Sequence, residues 1–228
     1  MRQLTEVVKH LIIINIVFFI GSNLLTNSGM FDAIRHLSLY YPQSPSFRPY
    51  QLVTHLFMHA NFTHIAFNMF ALFMFGPPLE ALLKEKRFLF FYFFSALGAV
   101  VLHFIVVYLR IHAIIPEGIT QGVDLPAPML GQLNALINIP MLGASGAIAG
   151  VVLAFAMKYP NAELMLIFFP VPIKAKYLVP IMFGIDLYLG ISSFSWDNVA
   201  HFAHLGGALF GFLLILYWQK FDSDFRIR

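Results

Sequence analysis

Six stretches of this chain, near residues 7–25, 61–79, 88–109, 142–158, 177–194 and 199–218, are long and apolar enough to cross a bilayer, and no other feature narrows the fold as far. A hydrocarbon core takes about 20 helical residues to traverse. The expected fold is therefore all-α: a polytopic bundle of six transmembrane helices. Hydrophobic residues make up 59% of the 228 and charged ones 11%, against about 25% charged in an ordinary soluble domain. The first stretch, HLIIINIVFFIGSNLL, is followed by no small-x-small cleavage site and is read as a retained anchor. With no linker, repeat or low-complexity tract apparent, residues 1–228 are read as a single membrane domain.

Charge placement sets the expected orientation. The net charge is +3 and the pI near 9.2, a balance that in a soluble protein would raise the question of nucleic acid. Here the basic residues sort by side. If the N-terminus lies inside, only Arg35, Arg48 and Arg110 of the 14 Lys and Arg fall in outer segments, which is the positive-inside pattern. Both termini are expected in the cytoplasm, with no nucleic-acid partner. Two outer connections are long, 26–60 and 110–141. Pro and Gly in the second argue against regular structure there, while FRPYQLVTHLFMHA in the first reads as partly helical and interfacial. On the inner side, KYPNAELMLIFFPVPIKAKY is read as a tight apolar turn, too interrupted by Pro160, Pro170 and Pro172 to span again.

The chain has no cysteine, so disulfides, thiolate metal sites and cysteine nucleophiles are excluded. Chemistry must come from Ser, His, Asp and Glu. Strongly polar groups inside a bilayer are costly and are functional candidates by default. Five stand out: His64, Asn68, Ser145, Asp186 and His204. Ser145 lies in GASGAIAG, residues 143–150, where small residues suit either close helix packing or a nucleophile kept clear of obstruction. His64 and Asn68 are four apart and share one helix face, as an interhelical hydrogen-bond pair or as a catalytic one. In the orientation above, His64, Ser145 and His204 all fall near the starts of their spans, roughly 5–9 Å below the outer interface at ~1.5 Å per residue. One shared layer is what chemistry needs and packing does not.

A serine hydroxyl becomes a good nucleophile when a neighbouring base takes its proton, and histidine suits that task near neutral pH. Ser145 and His204 can form such a pair. Ser145 also opens a helix, whose unpaired N–H groups favour a developing oxyanion. His64 and Asn68 could add side-chain donors to the same charge. Gly207 and Gly211, four apart in HLGGALFG, let the last span pack closely against the small residues of GASGAIAG.

With these motifs the chain resembles the rhomboid family of intramembrane serine proteases over nearly its whole length. GASG, including Gly143 and Ser145, is similar to the family's nucleophile motif. HIAFN resembles its His-x-x-x-Asn element, GPPLE with Gly76 and Glu80 its Gly-x-x-x-Glu, and AHLGGALFG its catalytic-histidine helix. The resemblance implies a Ser145/His204 dyad without a third acidic member, no cofactor and no metal. It also implies transmembrane protein substrates cut near the outer face of a lipid bilayer, which for a six-span member is taken to be a bacterial plasma membrane. The oligomeric state is left open. Three departures stand out: Phe47-Arg48 in place of Trp-Arg, Ala149 where an aromatic commonly stacks on the histidine, and a long 110–141 connection.

Other polar residues receive lesser roles. His55 and His59, four apart, are read as interfacial or as loop-holding hydrogen bonders, and His201 as a cap on the mouth of the site. His103 is expected to make an interhelical bond. Asp186, mid-span in FGIDLYLG, demands a partner; it could orient an imidazole as a triad acid does, but is read chiefly as locking or gating the bundle. Two rival functions remain. One is a histidine-bound membrane metalloprotein, which the absence of a His-Glu-x-x-His motif disfavours. The other is a non-catalytic client-binding relative, which would be expected to lack Ser145 or His204.

Overall fold

The computed structural model describes residues 4–115, 125–166, 169–192 and 201–221. The chain is an integral membrane, multi-pass helix bundle. In order, α1 spans Glu6–Asn27, α2 Ala33–Leu37, α3 Gln51–Thr54, α4 Phe62–Leu83, α5 Glu85–Ile114, α6 Ala127–Asn138, α7 Ser145–Lys158, α8 Ala175–Ser192 and α9 His201–Phe221. A turn of 3-10 helix, His55–Phe57, extends α3. Strands β1, Glu163–Leu166, and β2, Phe169–Lys174, join α7 to α8.

Among the described residues, five helices, α1, α4, α5, α8 and α9, are long and apolar enough to cross a membrane. The sixth expected span is shorter than its sequence suggested. The run 142–158 is helical only from Ser145, because Gly143 has φ +115°, a value outside the helical region that glycine adopts without a Cβ clash. At ~1.5 Å per residue, α7 is roughly 21 Å long against a core of about 30 Å. Its position offsets its length: ten of its 14 residues are buried, and it packs against α4, α5, α8 and α9. α7 is the axis of the bundle.

Small residues hold α5, α7 and α9 together. A Cβ built on Gly98 of α5 would stand 2.6 Å from the carbonyl oxygen of Gly206 on α9, and one on Gly211 would stand 3.0 Å from the Cα of Gly150 on α7. In lipid, where apolar side chains gain nothing by leaving the solvent, backbone approach of this kind supplies the dispersion that binds helices. At the other end of the bundle α1 is docked through Glu80 of α4. Its buried carboxylate accepts from Thr5 Oγ1 at 2.5 Å, Val7 N at 3.0 Å and Val8 N at 2.9 Å, satisfying amides that a helix start leaves unpaired. Gly76 leaves the space that Val8 fills. This gives the Gly-x-x-x-Glu pattern a physical reason.

Three further sequence readings are revised. The segment after Pro160 is an antiparallel hairpin, pairing Glu163 with Lys174 and Leu164 with Ile173, so the fold is not purely α. A two-stranded ribbon consists of edges, where Pro170 and Pro172 can sit without interrupting a sheet interior. The 110–141 connection contains α6, a 12-residue helix with no buried residue. α4 and α5 run four and three residues past their expected junction boundaries, to Leu83 and back to Glu85, and are separated only by Lys84 at φ 67°.

Candidate active site

Ser145 is the first residue of α7, and what precedes it is held from two sides. Leu39 and Met141 exchange both backbone hydrogen bonds, 2.9 and 2.8 Å, and Gly143 N donates to His55 O at 2.9 Å. These contacts fix the chain up to Gly143, and Ala144, already in the helical region, turns it into α7. The N-cap position, Ala144, has no side chain able to accept from the first turn. The amides of that turn, Ser145, Gly146 and Ala147, therefore precede the first helical hydrogen bond, which Ile148 N makes to Ala144 O at 3.0 Å. Unpaired donors and the positive end of the helix dipole meet at the serine.

His204 comes to Ser145 from α9. Its Nε2 lies 2.9 Å from Ser145 Oγ. Its Nδ1 lies 3.3 Å from Oδ2 of Asp186 on α8, whose other oxygen, Oδ1, is 2.6 Å from Nδ1 of His201. A carboxylate can only accept, so both imidazoles present Nδ1–H to Asp186. That tautomer leaves the Nε2 lone pair of His204 facing the serine hydroxyl. The group is only part-enclosed: the side chains of His204, Asp186 and His201 are 22%, 21% and 8% exposed.

His64 and Asn68 lie on the near face of α4. Asn61 caps that helix, accepting from His64 N at 2.8 Å, and so places His64 in the first turn. A Cβ on Gly143 would stand 2.8 Å from both Cε1 and Nε2 of His64, which puts the imidazole tip over the backbone two residues before Ser145. Asn68 is buried, and its Nδ2 donates to His64 O at 3.0 Å; the second N–H of that amide is not used by this bond. The site thus draws Ser145 from α7, His204 and His201 from α9, Asp186 from α8, and His64 with Asn68 from α4.

Two histidines set aside in the sequence prove structural to this layer. His55 is buried, with Nδ1 2.8 Å from Gln51 O, while its own carbonyl holds Gly143. His59 is buried with its ring 5.0 Å from that of His64. Burial pushes the pKa of His55 down to about 4, and burial with the neighbouring His64 does the same to His59, so both are neutral at pH 7. Their i, i+4 spacing was visible, but the neighbours it brings them to, Gln51 for the His55 ring and His64 for the His59 ring, came only with the fold. His103 departs from expectation: among the described residues it has no hydrogen-bond partner, and its ring lies 6.1 Å from that of Phe104. The loop SSFSWDN, 192–198, joins the last two expected spans at the outer face, where its sequence position suits a cover for the site; it lies outside the described residues from 193 on.

Asp186, His201 and His204 also form the one cluster of three possible metal ligands among the described residues, with one ligand atom from each within 4.8 Å of the others.

A family model described as Rhomboid domain matches residues 46–221. The chain is similar to "Rhomboid protein 1, mitochondrial" of Saccharomyces cerevisiae, 30% identical over 72% of this chain and 40% of the relative. It is also similar to "RHOMBOID-like protein 12, mitochondrial" of Arabidopsis thaliana, 32% identical over 71% of this chain and 44% of that one. A Bacillus subtilis protein that also carries rhomboid in its name is 25% identical over 72% of this chain and 65% of its own. The chain spans less than half the length of the two mitochondrial relatives.

Proposed function

The chain belongs to the rhomboid family, and from that membership we propose that it is an intramembrane serine endopeptidase acting through Ser145 and His204. The observation that carries the proposal is the 2.9 Å separation of Ser145 Oγ and His204 Nε2, with the histidine tautomer set for a general base. His204 Nε2 takes the hydroxyl proton as Oγ attacks the scissile carbonyl carbon. The same proton then passes to the departing amine nitrogen, leaving an acyl group on Ser145. A water, deprotonated by His204, hydrolyses that ester, and the proton returns to Oγ.

In this proposal the oxyanion is met by the unpaired amides at the start of α7, by His64 and by the free N–H of Asn68. Asp186 holds His204 from the side opposite Ser145, replacing the stacking aromatic that Ala149 does not supply. Substrates are transmembrane protein segments, which reach Ser145 from the lipid and are cut near the outer face. The proposed topology is six crossings with both termini cytoplasmic, α7 crossing with help from the residues before it. The proposed membrane is a bacterial plasma membrane. Neither a cofactor nor nucleic acid enters the reaction.

Labelling with a fluorophosphonate serine-hydrolase probe tests the reading. Wild type should label, and Ser145→Ala and His204→Ala should each abolish both labelling and cleavage of a model transmembrane substrate while remaining folded. Cleavage that persists in folded Ser145→Ala, or that disappears on chelation, would overturn it.

A further inference from the structure

Three side chains from two helices converge on one point beside the serine. Asp186 stands in the middle of α8, and His201 and His204, three apart, share a face of α9. Each offers a ligand atom within 4.8 Å of the other two, and the carboxylate already lies 2.6 and 3.3 Å from the imidazole nitrogens. Around a tetrahedral zinc, with metal–ligand bonds of about 2.0–2.1 Å, neighbouring donors stand roughly 3.3 Å apart. Two imidazoles and one carboxylate are a donor set that zinc accepts with water in its fourth position. The partial exposure of Asp186 and His204 leaves a path for an ion.

We propose that Asp186, His201 and His204 form an inhibitory site for a divalent transition metal, taking Zn²⁺, and that its occupation switches off the serine–histidine pair. The chemistry follows from the two faces of one imidazole. An ion bound at Nδ1 of His204 takes the place of the proton there. Neutral imidazole carries a single ring proton, which then sits on Nε2. Nε2 donates to Ser145 Oγ instead of accepting from it, and the hydroxyl loses its base. Asp186 exchanges its two hydrogen bonds for the cation, so its charge stays compensated. The inference rests on the proposed role of Ser145 and His204, but binding itself does not.

Binding and inhibition are therefore measured separately, on purified protein freed of metal with a chelator. Co²⁺ serves as the probe for binding, through the visible absorption of a four-coordinate complex. The expected result is one Co²⁺ per chain, displaced by Zn²⁺, in wild type and equally in Ser145→Ala. His201→Gln should weaken binding at least 10-fold; a second variant, His201→Asn, guards against a folding defect in the first. Zinc should slow cleavage by wild type at least 10-fold, reversibly on chelation. His201→Gln, compared with its own zinc-free rate, should need at least 10-fold more zinc for the same loss. Absence of a cobalt spectrum, or equal zinc sensitivity in wild type and both His201 variants, overturns the site. Cobalt binding in a protein that never cleaves any substrate overturns the proposed protease function and leaves the ion site standing.

Discussion

Gly207 of α9 rests directly on the carbonyl oxygen of Gly146 of α7, leaving no room for a Cβ. Gly146 follows Ser145, and Gly207 is three residues past His204. The contact therefore sets the α7–α9 distance at the level of the candidate dyad, with Gly211 on Gly150 repeating it one turn along. Rigid backbone on both sides leaves nothing to yield.

Gly207→Ala should accordingly push α9 away. Overpacking of a close contact costs about 1–3 kcal/mol, and a shift of ~1 Å at the site can cost on the order of 10²-fold in rate. Cleavage and fluorophosphonate labelling should both fall by that order, with a lower melting temperature. Gly184→Ala is the control, because a Cβ there meets nothing within 4 Å, and should change neither. Wild-type labelling in Gly207→Ala would show that the dyad does not depend on this contact.

Asp186→Asn keeps the shape of the side chain but offers His204 an amide, which can present its N–H to Nδ1 and fix the wrong tautomer. If Asp186 orients the base, kcat should fall by 10²-fold or more while the protein stays folded; a comparable change in a soluble Ser-His-Asp enzyme costs about 10⁴-fold. A carboxylate that only locks helices gives the opposite pattern, a lowered melting temperature with kcat retained in the folded fraction. Asp186→Glu should recover part of the rate in the first case.

Asn68→Ala should lower kcat by roughly 10²-fold with KM much less affected, because a preorganised donor counts most when charge develops. His64→Ala should act in the same direction. Since Asn68 also donates to His64 O, the two are coupled, and the double variant should lose less than the product of the single losses. Unchanged kcat in folded Asn68→Ala would remove Asn68 from the oxyanion site.

Access should run between α4 and α8. Both helices carry site residues and both pack on α7, yet they share few or no contacts with each other. α8 is held from behind, where Arg110 donates to Gly190 O at 3.0 Å. A cross-link between the outer halves of α4 and α8 should block cleavage of transmembrane substrates and spare small soluble esters. Equal survival of both activities under an efficient cross-link would place the entry elsewhere.

Much of this molecule is written in single residues and short spacings. Apolar runs marked all five long helices among the described residues, since a bilayer demands length and hydrophobicity from each segment independently. The polar residues they carry were conspicuous for the same reason: Ser145, His204, His64, Asn68 and Asp186 stand where polarity is expensive. What the sequence could not contain is distance between segments. Whether Asp186 faces lipid, a helix or an imidazole depends on how α8 rotates against α9, and its two hydrogen bonds exist only after that packing. His55 could be read as a loop-holding hydrogen bonder, but that its carbonyl holds Gly143, two residues before the serine, appears only once the segment before α7 is laid against it. The shortness of α7 was hidden too, because Leu142, Gly143 and Ala144 are as apolar as the helix they precede. Local composition determined which segments enter the membrane and which residues are out of place there. Only tertiary structure, through glycine contacts that set helix separations, decided which of those residues meet.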